Sequence, residues 1–218
     1  MFEYKGVRLT WLGHDTFRIE DGPTIYTDPY QLPSGLKPAD LVLITHDHFD
    51  HLSLDDLKPL VTADTTAVAA NACVGALKKL PFKEVHGIAP GESIQVGEVS
   101  IKAVPAYNVN KFRAPGQPFH PKEANYVGFV VTVKGVSIYH AGDTDHIPEM
   151  RGLAPDIALI PVSGTYVMTA EEAVRAVADI APKVAIPMHY GAIVGGPSDA
   201  QYFREHAPCQ VVVLEKEV

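Results

Sequence analysis

Residues 45 to 51 read Thr-His-Asp-His-Phe-Asp-His, a stretch with three histidines and two aspartates. It follows Leu41-Val-Leu-Ile-Thr45, a continuous apolar, β-branched run of the kind that forms a strand buried on both faces. Alternate residues of an extended chain face the same side, so His46 and His48 can converge on one cation, and a turn then redirects Asp50 and His51 toward a second. Imidazole nitrogen and carboxylate oxygen suit zinc and its neighbours. An adjacent pair of ions could share one hydroxide, because a bound metal lowers the pKa of water from about 15.7 toward about 7. The chemistry expected is therefore metal-dependent hydrolysis, with Asp50 best placed to orient that hydroxide or take its proton.

The first motif supplies too few ligands, so others must come from further strand ends. Ser137-Ile-Tyr-His-Ala-Gly-Asp143 follows a strand and turns at Gly142, which frees Asp143 to point into a strand-end site and bridge two ions. Val184 to Pro187 is an apolar strand that ends at Met188-His189, and His189 would complete the second ion's set with Asp50, His51 and Asp143.

These residues need elements to hold them. Val7 to Leu12, Thr16 to Glu20 and Thr24 to Thr27 read as an opening β-meander, broken at Gly13-His14 and at Asp21-Gly22-Pro23. Ser53 is expected to cap a short helix to Lys58, and Asn71 a second to Lys79. Ser93 to Gln95, Val99 to Ala106, Tyr126 to Val133 and Val136 to Tyr139 form a second strand series, with a tight hairpin at Lys134-Gly135. Ile157 to Pro161 is another buried strand, and Thr169-Ala-Glu-Glu172 is a capping box opening a helix to about Ile180. A helix from about Ser198 to His206 and a strand at Val211 to Leu214 close the chain. The segment from Asn108 to Ala124, rich in proline, is longer than most connections and so a functional candidate. Strands followed by helices, twice over, predict an α/β chain forming a four-layer αββα sandwich. No internal sequence repeat is evident, and residues 1–218 are expected to form a single domain.

Composition narrows the substrate. The net charge of −8 and pI near 5.6, with no basic stripe, disfavour nucleic acid, so a nuclease is set aside for a small-molecule substrate. The apolar stretches are strand-sized, far short of the roughly 20 residues that span a bilayer. Met1-Phe2-Glu3-Tyr4-Lys5 lacks the order of a secretory signal, and Cys73 and Cys209 show no paired spacing; a cytoplasmic location is expected.

Taken in order, Leu12-Gly13-His14, Thr27-Asp28-Pro29, the HxHxDH segment, His140-Ala-Gly-Asp143-Thr144 and Pro187-Met188-His189-Tyr190-Gly191 resemble the metallo-β-lactamase fold superfamily. Within it the chain is similar to the small metal-dependent hydrolases related to ascorbate-phosphate lactonase and N-acylphosphatidylethanolamine phospholipase D. The resemblance covers nearly the whole chain and implies two mixed β-sheets with helices on the outer faces. It also implies hydrolysis of an ester, lactone, thioester or phosphodiester, although the fold also hosts redox chemistry. The alternative is a metal-binding protein with a sensor or redox role.

In such relatives a third histidine completes the first ion's set, and here the matching position is Asn108. Asn108 is taken as the metal ligand, a weaker one than imidazole. Two alternatives stay open: His120 in the long loop substitutes for it, or only the second ion binds well. His14 is implied at the mouth of the active site, in substrate contact or metal approach, and Asp28 as an acceptor for a ligand imidazole. His140 and His146 flank Asp143 as further supporting candidates, Tyr166 could orient substrate, and His86 and His206 look like surface residues. Zinc is the expected divalent metal, as one or two ions, with manganese, iron or nickel able to use the same ligands.

Overall fold

The computed structural model describes residues 1–217. Its first sheet runs in sequence order through β1 (Phe2–Tyr4), β2 (Val7–Gly13), β3 (Thr16–Glu20), β4 (Thr24–Thr27), β5 (Leu41–Ile44), β6 (Thr66–Ala70) and β7 (Glu84–Ile88). The second half contains β8 (Ser93–Val96), β9 (Val99–Pro105), a small hairpin of β10 (Phe112–Ala114) and β11 (Gln117–Pro118), then β12 (Val127–Val133), β13 (Val136–His140), β14 (Ile157–Pro161), β15 (Val184–Met188) and β16 (Gln210–Val211). All but the hairpin form a second sheet of order β16-β15-β14-β13-β12-β9-β8. Helices α1 (Leu54–Leu57) and α2 (Val74–Leu77) accompany the first sheet; α3 (Ala170–Ile180) and α4 (Pro197–His206) pack on the second. The result is an αββα sandwich of two mixed sheets, as expected.

Both sheets change direction at the same place. In each, the first four strands pair antiparallel and the remaining ladders are parallel. Burial follows this division. Strands β5, β6, β14 and β15, between the opposite sheet and the helices, are buried at every position, whereas β9 alternates buried and exposed residues along its first half. The inner faces merge into one apolar core that includes Phe17, Tyr26, Phe129 and Tyr139.

Four local expectations are corrected. Strands β6 and β7 form where the sequence pattern gives no strand; β6 reads Thr-Ala-Val-Ala-Ala, whose alanines have weak β preference, and burial on both faces overrides that preference. Asn71 does not cap a helix, because Asn71–Cys73 is itself a 3-10 turn before α2. The closing strand is shorter and earlier than Val211 to Leu214. The long segment after Asn108 contains the β10–β11 hairpin. The Thr169 capping box is present as predicted. No helix among the described residues is long and apolar enough to cross a membrane.

Candidate metal centre

Apart from Asn108, which follows the antiparallel strand β9, the predicted ligands lie at one edge of the sandwich, beyond the C-terminal ends of strands in the parallel ladders. His46 to His51 follow β5, Asp143 follows β13 and His189 follows β15. The two sheets meet here through Gly142, whose φ of 63° suits glycine; a Cβ on it would lie 3.0 Å from the Val127 carbonyl and 3.2 Å from the Thr45 side chain. Val127 N–H also donates to the Thr45 carbonyl at 3.2 Å. The aspartate turn of one sheet is thereby pressed against the histidine motif of the other.

Asp143 sits at the centre. Its Oδ1 is 3.3 Å from His51 Nε2, and its Oδ2 is 3.3 Å from Nε2 of both His120 and His189 and 3.9 Å from His46 Nε2. Around it, His46, His48 and His120 present ligand atoms within 4.8 Å of one another, as do His14, Asp50, His51 and His189. A third grouping, Asp15, His51, Asp143 and His189, overlaps the second.

Most of these imidazoles are held at one nitrogen and bare at the other. His46 Nδ1 donates to Thr45 Oγ1 at 2.9 Å, and Thr45 Oγ1 in turn donates to Asp28 Oδ2 at 2.6 Å. His51 Nδ1 donates to the same Asp28 oxygen at 2.9 Å, while Asp28 Oδ1 accepts from Thr45 N–H. His189 Nδ1 donates to Ser163 Oγ at 3.0 Å. His120 Nδ1 donates to Asn108 Oδ1 at 2.9 Å. The inward nitrogens of His46, His51 and His189 are buried with no hydrogen-bond partner among the described residues, as is Asp143 Oδ1. Buried polar atoms without partners are costly, and these converge with the nitrogen and carboxylate chemistry of a transition-metal site. The residues fit divalent cations.

Charge agrees. Burial alone would lower the His51 pKa, but the Asp143 and Asp28 carboxylates hold it well above the ordinary value. Burial opposes ionisation of Asp143, yet the neighbouring His189 and His51 hold its carboxyl well below the usual range. Carboxylates thus favour positive charge on the imidazoles beside them, the charge that a bound cation would supply. His46, by contrast, is driven neutral mainly by burial, as a metal-ligating imidazole needs.

One expectation is corrected and one open alternative takes its place. Asn108 does not present its oxygen to the cluster, because Oδ1 accepts both the backbone N–H of His120 at 2.8 Å and its Nδ1–H, and Nδ2 donates to the Tyr166 carbonyl at 2.8 Å. His120 occupies the third corner beside His46 and His48, its Nε2 3.2 Å from His48 Nδ1. Asn108 N–H also donates to the His120 carbonyl at 2.8 Å, so the long segment folds back and docks on its own root.

His14, in the β2–β3 turn, has its Nε2 3.1 Å from Asp50 Oδ2. Burial lowers its pKa to about 4, leaving a neutral ring. Asp50 is held below its ordinary value against the effect of burial, chiefly by this contact and by His51. Asp28, His14 and His189 all have positive φ, at 38°, 49° and 59°, and such strained residues gather at functional sites.

Sequence reasoning did not find Ser163 or Asp15. Ser163 needed the spatial pairing of β14 with β15. Asp15 is fully buried, its Oδ2 3.7 Å from the His51 edge that Asp28 already holds, so it stands behind that imidazole; its place next to His14 was the available signal. Of the other histidines, His140 Nε2 donates to the Asp15 carbonyl and its Nδ1 accepts from Gly142 N–H, tying the two turns together. His146 pairs with Asp179 on α3, away from the ligands. His86 and His206 are half-buried to exposed, and their rings bond to Glu84 and to the Tyr202 carbonyl.

The metal cluster opens into a cleft of about 510 Å³ lined by His48, Asp50, His120 and Asp143 at its base and by Phe49, Arg113, Phe119, Tyr166 and Ile193 on its walls.

With this arrangement in hand, comparison with known proteins is decisive: residues 8–189 match the beta-lactamase superfamily domain. The chain belongs to that superfamily. It is 35% identical to a UPF0173 metal-dependent hydrolase of Methanosphaerula palustris over 91% of this chain and 90% of that one. A second, from Methanopyrus kandleri, is 32% identical over 96% and 97% of the two chains. Both place it among the UPF0173 metal-dependent hydrolases. Among solved structures, a metallo hydrolase from Ignicoccus hospitalis superposes with a TM-score of 0.77 at 25% identity, covering 97% of this chain and 96% of that one. The beta-lactamase superfamily match ends at His189, the last of the predicted ligands.

Proposed function

We propose that the protein hydrolyses an ester, lactone, thioester or phosphodiester bond in a small molecule at a centre of two divalent cations, with zinc as the expected metal. The observation that carries this reading is the convergence of imidazole nitrogens on Asp143, those of His46, His51 and His189 bare, with each of His46, His51, His120 and His189 anchored through its other nitrogen. His46, His48 and His120 would hold one ion, Asp50, His51 and His189 the other, with Asp143 between them. When bound, such ions supply acidification of a water and polarisation of the scissile carbonyl or phosphoryl oxygen.

The chain's own residues do the rest. Asp28 orients His46 and His51 together, and Ser163 and Asn108 orient the imidazoles contributed by the second half. Asp50 reaches the base of the cleft and is ionised, which leaves it able to accept a proton from the attacking water. Neutral His14 fixes Asp50 through Oδ2. The apolar walls reduce the water around the reacting atoms. A volume of about 510 Å³ supports a small-molecule partner. The unpaired Cys73 and Cys209 support a reducing compartment such as the cytoplasm.

The test combines elemental analysis of the purified protein with a panel of lactones, thioesters, carboxylic esters and phosphodiesters, using Asp50→Ala as control. Turnover that falls at least about 100-fold in Asp50→Ala supports the reading. Stoichiometric metal with no Asp50-dependent turnover on any member would instead favour the sensor or redox alternative.

A further inference from the structure

Among the described residues, seven large apolar side chains are notably exposed: Met1, Phe49, Val109, Phe112, Tyr166, Ile193 and Tyr202. Phe49, Tyr166 and Ile193 line the metal cleft, and Phe112 flanks Arg113, which lines it too. Exposed apolar side chains scattered singly are unremarkable, but a rimmed cluster marks a binding surface. Phe49 is 68% exposed although it lies inside the HxHxDH motif, between two buried or half-buried ligands.

Within this apolar wall stands one guanidinium. Arg113 projects from β10, its Cζ 5.5 Å from the centre of the Phe119 ring, and its Nη2 donates to the Phe119 carbonyl at 3.2 Å. Phe119 packs edge-on against Tyr166 with ring centres 4.7 Å apart, so the cation is seated on a braced aromatic pair. Among the described residues no carboxylate comes within ion-pair distance of Arg113. Other basic residues near this segment are spent: Lys111 pairs with Glu172 at 2.6 Å, and Lys122 with Glu149 at 2.9 Å. The acids of the cleft are likewise committed, Asp47 to the Tyr126 hydroxyl and Asp50 and Asp143 to the ligand cluster. In a chain of net charge −8, a cation left unpaired at the mouth of the active cleft is a recognition group.

We infer that the substrate is an anionic amphiphile: a hydrolysable bond carried on an apolar body that packs against Phe49, Phe119, Tyr166 and Ile193, with a carboxylate or phosphate that pairs with Arg113. This deepens the hydrolase reading and rests on it for the identity of the bond broken, but binding of the anionic end can be measured without turnover. Arg113 is a specificity-determining residue on this account. Its contact is made equally in the ground and transition states, so its loss appears in KM and leaves kcat nearly constant.

Two measurements test this. In the first, matched aryl-alkyl esters and lactones bearing a terminal carboxylate, phosphate or neutral amide are compared for kcat/KM. The anionic members should exceed the neutral one roughly 10- to 100-fold, the range of a charge-assisted pair. Arg113→Gln should erase that preference through KM, and Arg113→Glu should invert it. The carboxylate and phosphate arms distinguish the two anions. An unchanged preference in both variants, or a wild-type preference for the neutral compound, overturns the proposal. In the second, calorimetry follows 4-phenylbutyrate and 4-phenylbutyl phosphate binding to the metal-loaded protein and to Arg113→Gln. Weakening of about tenfold or more in the variant is expected. Equal binding would place the anion on the metals and overturn the proposal. So would a concentration-dependent dimer abolished by Ile193→Asp, which would assign the apolar rim to self-association. Arg113-dependent binding with no turnover on any compound would sink the hydrolase reading and leave this one standing.

Discussion

The two halves of the molecule repeat one strand plan, yet they place different chemistry at equivalent points. Strand β4 leads to Asp28 and strand β13 to Asp143; both aspartates follow the first strand of the parallel ladder in their sheet. Asp28 points back into its own half and orients His46, through Thr45, and His51. Asp143 reaches across to imidazoles from both halves. At the other end of the sheets, Asp40 and Asp156 each precede the next parallel strand and accept a backbone N–H from the strand before, Thr24 at 2.7 Å and Ser137 at 3.0 Å. Asp40 is exposed, whereas Asp156 is nearly buried and also takes Lys183 at 2.7 Å. Equivalent positions thus share a backbone duty, and what each adds depends on what the opposite sheet brings to it.

The strongest way to break this pairing is at the central carboxylate. Asp143→Asn should empty both cation positions and lower kcat on the order of 10³-fold, checked by elemental analysis beside steady-state rates. Retention of two ions by that variant would show that the clusters are independent. Asp28→Asn tests the inward-facing partner. It leaves the ligands in place but loosens His46 and His51 together, so affinity should fall about 10- to 100-fold at both positions. A loss confined to one would mean that the Thr45 link carries little. Asn108→Ala acts on one corner only: metal bound by His46, His48 and His120 should weaken by about tenfold while the other position is unchanged, as competition with a chromogenic chelator would reveal.

The smallest effect belongs to the opposite edge. Burial raises the Asp156 carboxyl, but Lys183 and Ser137 outweigh it and hold the group well below the usual range. The stability this supplies is fully present above the unfolded value of about 3.9 and is lost as pH falls through the depressed folded value. Asp156→Asn should therefore cost about 2 kcal/mol at pH 7, with the gap to the parent chain closing below about pH 4. Asp40→Asn should cost about 0.5–1 kcal/mol. Urea titrations at pH 7 and pH 3 separate the two, and equal costs would contradict the contrast drawn between the edges.

What the sequence revealed followed the same division. The apolar run ending at His46, the turn at Gly142 and the strand ending at His189 were legible because each couples a local pattern to a chemical residue. The site of Asn108 was readable but its duty was not. The docking of His120 onto it depends on a fold-back in a segment without periodicity, and the matching hydrogen bonds are long-range. Strand β6 was hidden for the converse reason, since alanine-rich sequence becomes a strand only where both faces are covered. Ser163 sits in a loop, and only the parallel register of β14 and β15 sets it against His189.

The return of the chain from Asn108 to His120 has an evolutionary consequence. Arg113 and Phe119, which shape the cleft wall, and His120, which completes one cation corner, are borne on one short stretch of backbone. A change in the length or composition of that stretch would move the cleft wall and His120 together. Selection for a new specificity and selection for cofactor retention therefore act on the same few residues, and variants that gain one at the expense of the other are the expected intermediates between them.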